Sequence, residues 1–358
     1  VKFGISFFPS VGPEDKSGQE YYREALEIVE LAESLGYDHV RAVEHYFFSY
    51  GGYSPDPVTF LAAAAARTTK LRITTSAVVP AFTHPVKLAG KLAMLDNIAD
   101  GRLDIGFARA FLPDEFAAFG VSMDESRARF EEGINACLRL WTEENVTWEG
   151  EFYRFGPVTL LPRMVQRPHP PIFVATAGSL ESCEAAGRAG HNLQTVLAVS
   201  NRDQVCDMMS TYRQARAAAG HRPGTEQIQV SLPLFLAEDA EEARALGRYD
   251  DAKNRANMGR AVSAWRTTQS SQYSGYDKLA DSIAGLDFDQ RVHDNKILAG
   301  SPDDVRGQLE DIAQWFGDDL TVCLITHSGN LGLDKTQRTL RLFADEVLPK
   351  LSFDVTVR

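Results

Sequence analysis

Three short stretches hold residue types that can do chemistry. Glu44-His45-Tyr46 sets a carboxylate beside an imidazole, and Phe47 and Phe48 follow at once. An apolar pocket with one proton-transferring group is the natural use of such a run, although a histidine at a strand end is as often structural. Ala108-Arg109-Ala110-Phe111 places a guanidinium among small neighbours. Its fork of donors suits an anion such as phosphate, unless a nearby acid claims it. Ala175-Thr176-Ala177-Gly178-Ser179-Leu180-Glu181-Ser182 puts hydroxyl residues where a helix should begin. Free N–H groups at such a start can seat a phosphate, and Ser179 or Ser182 can equally be the helix cap.

Other devices are missing from the sequence. It has no GxGxxG, no Walker loop, no HExxH, no GxSxG elbow and no His/Cys cluster with metal-ligand spacing. A Rossmann nucleotide site, a serine hydrolase and a metal centre are therefore not expected.

The elements that must position these stretches alternate along the chain. Apolar β-type runs at 3–8, 39–43, 71–79, 102–107, 171–175, 193–199, 228–237 and 320–325 predict strands. Amphipathic stretches at 19–35, 57–68, 84–98, 124–141, 181–189, 203–219, 240–261, 302–316 and 336–347 predict helices, Asp124 being placed to cap the fourth. A hairpin is expected at 146–155, turning at Glu149-Gly150. Repeated βα units near eight in number predict an α/β fold, a closed (β/α)8 TIM barrel forming one domain over 1–358. In such a barrel function sits at the C-terminal strand ends, where Glu44-His45, Arg109 and Ser179 fall.

Residues 262–299 break this rhythm, being rich in Ser, Gln, Gly and Asp with isolated Trp265, Tyr273, Tyr276 and Phe288. A long irregular insertion after the seventh strand–helix unit predicts a mobile lid over the mouth. Phe60–Ala66 reads FLAAAAA, a small-residue face suited to close helix packing, and a homodimer through 57–68 is expected.

With 358 residues, 44% apolar and 24% charged, the chain can bury a large core, and its net charge of −12 argues against nucleic-acid binding. Cys137, Cys183, Cys206 and Cys323 are widely spaced and expected to be reduced. No run of about 18 apolar residues and no signal-peptide pattern occurs, so a cytoplasmic protein without membrane contact is expected.

The chain resembles the bacterial luciferase-like, flavin-dependent monooxygenases, near the α subunit of luciferase. The resemblance rests on VEHYF (43–47), RTTKLRITTSAVVPAFTHPVKLA (67–89), LDNIADGRLDIGFARAF (95–111) and FGVSMDESRARFEEG (119–133). It continues through FVATAGSLESCEAAG (173–187), AGSPDDV (299–305) and VLPKL (347–351), and so spans nearly the whole chain. It implies that His45 is the catalytic histidine beside the flavin, with Glu44 its acidic neighbour. It also implies that Arg109, the Ala110–Phe111 backbone, Ser179 and Ser182 bind the phosphate of FMN. Ser76-Ala77 would be a non-proline cis peptide against the isoalloxazine. Phe8, Tyr46, Phe47, Phe48, Ala108 and the ring of Phe111 would line the substrate side, and no metal is implied.

On that resemblance, reduced FMN from a separate flavin reductase and dioxygen form a C4a-peroxyflavin that oxygenates a small apolar substrate. Hydroxylation, epoxidation and Baeyer–Villiger insertion are all compatible. The luciferase α subunit has His where Tyr46 stands, a reactive Cys at Ala108 and Glu at Gly178. These departures, with the bulk of Phe111, argue against light emission and a long-chain aldehyde. Two other readings keep the fold: an F420-dependent hydride-transfer enzyme, and a non-catalytic flavin-binding or accessory subunit.

Overall fold

The computed structural model describes residues 1–198, 200–317 and 320–354. Eight parallel strands form the barrel: β1 (Lys2–Phe7), β2 (His39–Ala42), β3 (Arg72–Thr75), β4 (Leu103–Phe107), β5 (Ile172–Thr176), β6 (Asn192–Val196), β7 (Ile228–Leu236) and β8 (Leu320–His327). Each pairs with the next, from Gly4↔His39 and Ile73↔Leu103 through Phe107↔Val174 and Leu193↔Ile228. Lys2↔Thr321 joins β8 to β1 and closes the ring. The strands read as continuous apolar runs because both of their faces are covered, one by the barrel interior and one by helices.

The interior also carries polar links. Arg41 Nε donates to Ser6 Oγ at 3.1 Å and Nη1 to Gln229 Oε1 at 3.3 Å, while Gln194 Nε2 donates to Gln229 Oε1 and to the Thr75 carbonyl, both at 3.0 Å. A Cβ on Gly106 would lie 2.3 Å from the Thr75 carbonyl oxygen and 2.4 Å from Gln194 Oε1, so only glycine lets β3, β4 and Gln194 come this close.

Helix starts follow the capping residues in the sequence. Ser17, Asp56, Asn201, Asp239 and Ser301 each accept a backbone N–H of the following first turn. Asp124 does not. The helix Ser126–Thr142 has Glu125 at its N-cap with no side-chain cap, and Asp124 Oδ1 instead accepts from Ser270 Oγ and from both Ser271 N and Oγ at 2.7–3.0 Å.

Three further expectations need correction. The third strand ends at Thr75 rather than at 79, because the chain turns at a cis Ser76–Ala77 peptide and rejoins the sheet only at a Val78↔Phe107 bridge. The sixth strand ends at Val196, short of 199, which lies outside the described residues. Residues 262–299 are not irregular. They hold the short helical turns Ser263–Arg266, Tyr276–Lys278, Leu279–Ala284 and Phe288–His293, then a strand Leu298–Gly300 paired parallel to β7. Trp265, Tyr273 and Tyr276 pack into a second core with Leu112 and Phe116, and Phe288 into a third with Phe235 and Ile297, beyond reach of a reading that needs local periodicity.

The Ala-rich helix Pro57–Arg67 buries Ala64 and Ala65 within the chain and leaves Ala63 and Ala66 outward. Cys137, Cys183 and Cys323 are buried and Cys206 exposed, all free. Among the described residues no helix is long and apolar enough to cross a membrane, and no His/Cys/Asp/Glu group could hold a metal.

Candidate active site

The loop after β2 delivers Glu44 and His45 in opposite directions. His45 is held by its own N–H donating to the Ser54 carbonyl at 3.1 Å, and Gly51 N donates to Pro9 O at 2.7 Å as the loop folds back. Gly51 has φ +79°, and a Cβ there would lie 2.6 Å from that of His45, so the return of the loop requires glycine. The imidazole then sits among three rings, with centroids at 5.7 Å (Phe8), 5.4 Å (Tyr50) and 5.8 Å (Phe111).

The acid bonded to this imidazole is Glu115, not Glu44. His45 Nδ1 lies 3.1 Å from Glu115 Oε1, which also accepts the Tyr46 N–H at 2.9 Å. A carboxylate only accepts, so the proton between the two lies on Nδ1 and the Nε2 side of the ring carries no hydrogen bond to a described residue. Glu115 is 1% exposed, on the short helix Pro113–Phe119. That helix went unread in the sequence, although Pro113 followed by Asp114 and Glu115 is the pattern of a helix start.

Glu44 has a separate task. Its Oε1 accepts the Tyr46 hydroxyl at 2.7 Å and its Oε2 the Val79 N–H at 3.1 Å, tying the β2 loop to the segment after the cis peptide. Burial, outweighing those hydrogen bonds, pushes its carboxyl up to about 7. Tyr46 turns away from His45 into a second aromatic group, 4.8 Å from Phe119 and 6.3 Å from Phe82. Phe47 (φ +69°) stands 63% exposed at the rim, and Phe48 packs toward the second core. Of the aromatics expected on the substrate side, Phe8 and Phe111 meet the imidazole directly, and Tyr50, which no sequence pattern marks, joins them there.

Arg109 lies just past β4, half-buried. Its guanidinium is 5.1 Å above the Tyr273 ring, and Nη1 reaches Gln272 Oε1 at 3.5 Å. Among the described residues no carboxylate pairs with it, and none accepts a hydrogen bond from the N–H groups of Arg109, Ala110 or Phe111. The carbonyls on the same stretch are engaged: Trp265 Nε1 donates to Phe111 O at 2.9 Å and the Tyr273 hydroxyl to Ala110 O. Ala108 N donates to the Val78 carbonyl at 2.9 Å, which locks the strand end against the cis-peptide segment.

Ser179 and Ser182 follow β5, whose Val174 pairs with Phe107 of β4, so they fall on the same barrel end as Arg109. Ser179 is the cap of the helix Leu180–Ala189, its Oγ accepting Ser182 N at 3.2 Å. Phe111 bridges the two halves, being two residues from Arg109 and in contact with the His45 ring. All of these groups share one end of the barrel.

Residues 1–319 match the family described as luciferase-like monooxygenases. The chain belongs to that family. A crystal structure of the monooxygenase RslO1 from Streptomyces bottropensis is 53% identical, with a TM-score of 0.88, covering 98% of this chain and 99% of that one. An FMNH2-dependent dimethylsulfone monooxygenase of Pseudomonas putida is 30% identical over 223 residues, 61% of this luciferase-like chain and 60% of the relative. An F420-dependent glucose-6-phosphate dehydrogenase of Amycolatopsis mediterranei is 26% identical over 335 residues, 92% and 94% of the two chains.

Proposed function

We propose that this luciferase-like monooxygenase is the oxygenase component of a two-component system, taking reduced FMN from a separate reductase and using dioxygen to oxygenate a small apolar organic molecule. The observation that carries this reading is the open donor set at Arg109. A guanidinium and three consecutive N–H groups that, among the described residues, have no acid partner and no acceptor fit a phosphate monoester, and they stand on the same rim as an imidazole in an aromatic box.

Reduced FMN, when bound, supplies the activation of dioxygen. The chain's own residues do the rest. Arg109 and the 109–111 N–H groups would hold the phosphate, with the Ser179 and Ser182 hydroxyls beside them. Ala77 and the Ser76–Ala77 peptide would support the ring system from β3. His45 Nε2 holds and returns a proton at the reacting face, and Glu115 keeps the Nδ1 proton in place. Phe8, Tyr50 and Phe111 keep water from that face, and the 262–299 segment acts as the lid that closes it.

Oxygen uptake tests this directly. With NADH, a flavin reductase and FMN, the chain should consume dioxygen and incorporate one atom of 18O2 into an apolar substrate. Reduction of F420 under anaerobic conditions, with no oxygen incorporation, would replace the reading with hydride transfer. We further assign the working form to a cytoplasmic homodimer through the helix Pro57–Arg67, whose Ala63 and Ala66 are exposed, as are Met94 and Ile98 of the helix Pro85–Ile98. Light scattering at twice the chain mass would support it, and the monomer mass would refute it.

A further inference from the structure

At the barrel end opposite His45, the residues leading into β5, β6 and β7 surround a cleft of about 510 Å³. Its polar lining is His169, His191, Arg216, His221 and Arg222 with the neutral Asn192, Thr225 and Gln227, and no carboxylate. Such a concentration of imidazole and guanidinium is unusual on a chain of net charge −12.

The donors are only partly used. His169 Nδ1 is 2.7 Å from the Pro170 carbonyl and His221 Nε2 is 2.9 Å from the Arg188 carbonyl, which leaves the other nitrogen of each ring without a hydrogen-bond partner among the described residues. Neither ring nitrogen of His191 has one. Arg216 is 6% exposed; its Nη2 donates to Thr225 Oγ1 at 3.0 Å and its Nη1 reaches the His191 carbonyl and the Tyr212 hydroxyl at 3.5 Å, while its buried Nε makes no hydrogen bond. The acid nearest it, Glu226, lies 3.9 Å from that Nε and is shared with Arg213 at 3.3 Å. Arg222 is exposed with no ion pair among the described residues, and Arg188 is paired with Glu184. The site also has a shaped wall. Gly190 has φ +75°, and a Cβ there would lie 2.5 Å from His221 Cε1, so glycine makes room for the ring.

We propose that this cleft is a second ligand site, separate from the active site, for a small dianion of the phosphate-monoester or dicarboxylate class. Arg216 and Arg222 supply fixed positive charge, the free ring nitrogens of His169 and His221 add polar partners, and His191 becomes a further donor when protonated. The volume is within the range of small-molecule sites. Burial, then the neighbouring His169, His221 and Arg216, hold the His191 imidazole down to about 4. A bound dianion would offset the repulsion among these groups and raise that value, so binding should strengthen as pH falls.

The test uses the full chain carrying Arg109→Ala, which removes the phosphate donor of the active site. Histidine Cε1–H resonances and calorimetry are followed with inorganic phosphate and with succinate at pH 6 and pH 8, ionic strength being held with NaCl. Saturable shifts of the His169, His191 and His221 signals are expected; with succinate, which stays largely a dianion at both pH values, they should be stronger at pH 6, whereas phosphate, mostly a monoanion at pH 6, is read at pH 8. The added pair His221→Ala and Arg222→Ala, both on an exposed loop, should weaken binding at least about tenfold. Phosphate and succinate responses identify which dianion chemistry is preferred. Absence of saturation with either anion, or equal shifts from NaCl alone, would overturn the proposal. An unchanged affinity in the triple variant would do so as well, and wild-type resonances decide the matter should that variant not fold.

Discussion

The two halves of the active-site rim are built on opposite principles. Around His45 the polar groups are largely satisfied from within: Nδ1 by Glu115, the Tyr46 amide by the same oxygen, both Glu44 oxygens by Tyr46 and Val79. Around Arg109 the donors face no acid and no backbone acceptor among the described residues, and the contacts made are a ring face and a 3.5 Å amide. Chemistry that depends on one nitrogen needs that nitrogen oriented beforehand, whereas a binding site gains affinity from donors whose partner arrives with the ligand. The difference separates a proton-handling half from an anchoring half.

Variants can break that separation. The largest effect should come from His45→Ala, which lowers turnover about 10²-fold or more while FMN affinity, read by fluorescence quenching, stays near wild type. Arg109→Ala should do the reverse. Losing charge-assisted hydrogen bonds to a phosphate weakens FMN binding about 10- to 100-fold, and turnover at saturating FMN should remain close to normal. Equal losses of both quantities in both variants would erase the distinction.

Glu115→Gln sharpens it further. Turnover should fall roughly tenfold without a change in FMN affinity, and Glu115→Asp should recover part of the loss. A merely structural role for Glu115 would instead lower the melting temperature and move both parameters together.

The smallest effect belongs to Glu44. Its folded carboxyl titrates near 7, above its ordinary 4.5, so the folded chain keeps a proton that the unfolded chain has lost. Stability from this group is therefore complete below pH 4.5 and is lost as pH climbs to about 7, on the order of 3 kcal/mol. Glu44→Gln should flatten that part of the urea-denaturation profile. A profile that keeps its slope would mean that Glu44 is charged in the fold.

How far the sequence reveals this rim follows from the range of the forces involved. His45 and Arg109 are legible because strand-end position and residue type are local properties. Glu115 pairs with a residue 70 positions away, and nothing local distinguishes it from Asp114. Asp124 looks like a helix cap but serves Ser270 and Ser271, a contact made only once the 262–299 segment has folded over it. That segment lacks a periodic pattern, and its Trp265, Tyr273 and Tyr276 are ordered by each other and by Phe111 and Phe116. Tyr46 and Phe47 read as pocket residues from their neighbours, yet the loop carries both away from the imidazole.

A crystal soaked with FMN tests the division most directly. Density should show the phosphate against the Arg109 guanidinium and the 109–111 N–H groups, with the ring system on the His45 side of Phe111. A phosphate bound elsewhere, or a flavin ring out of reach of His45 Nε2, would contradict it.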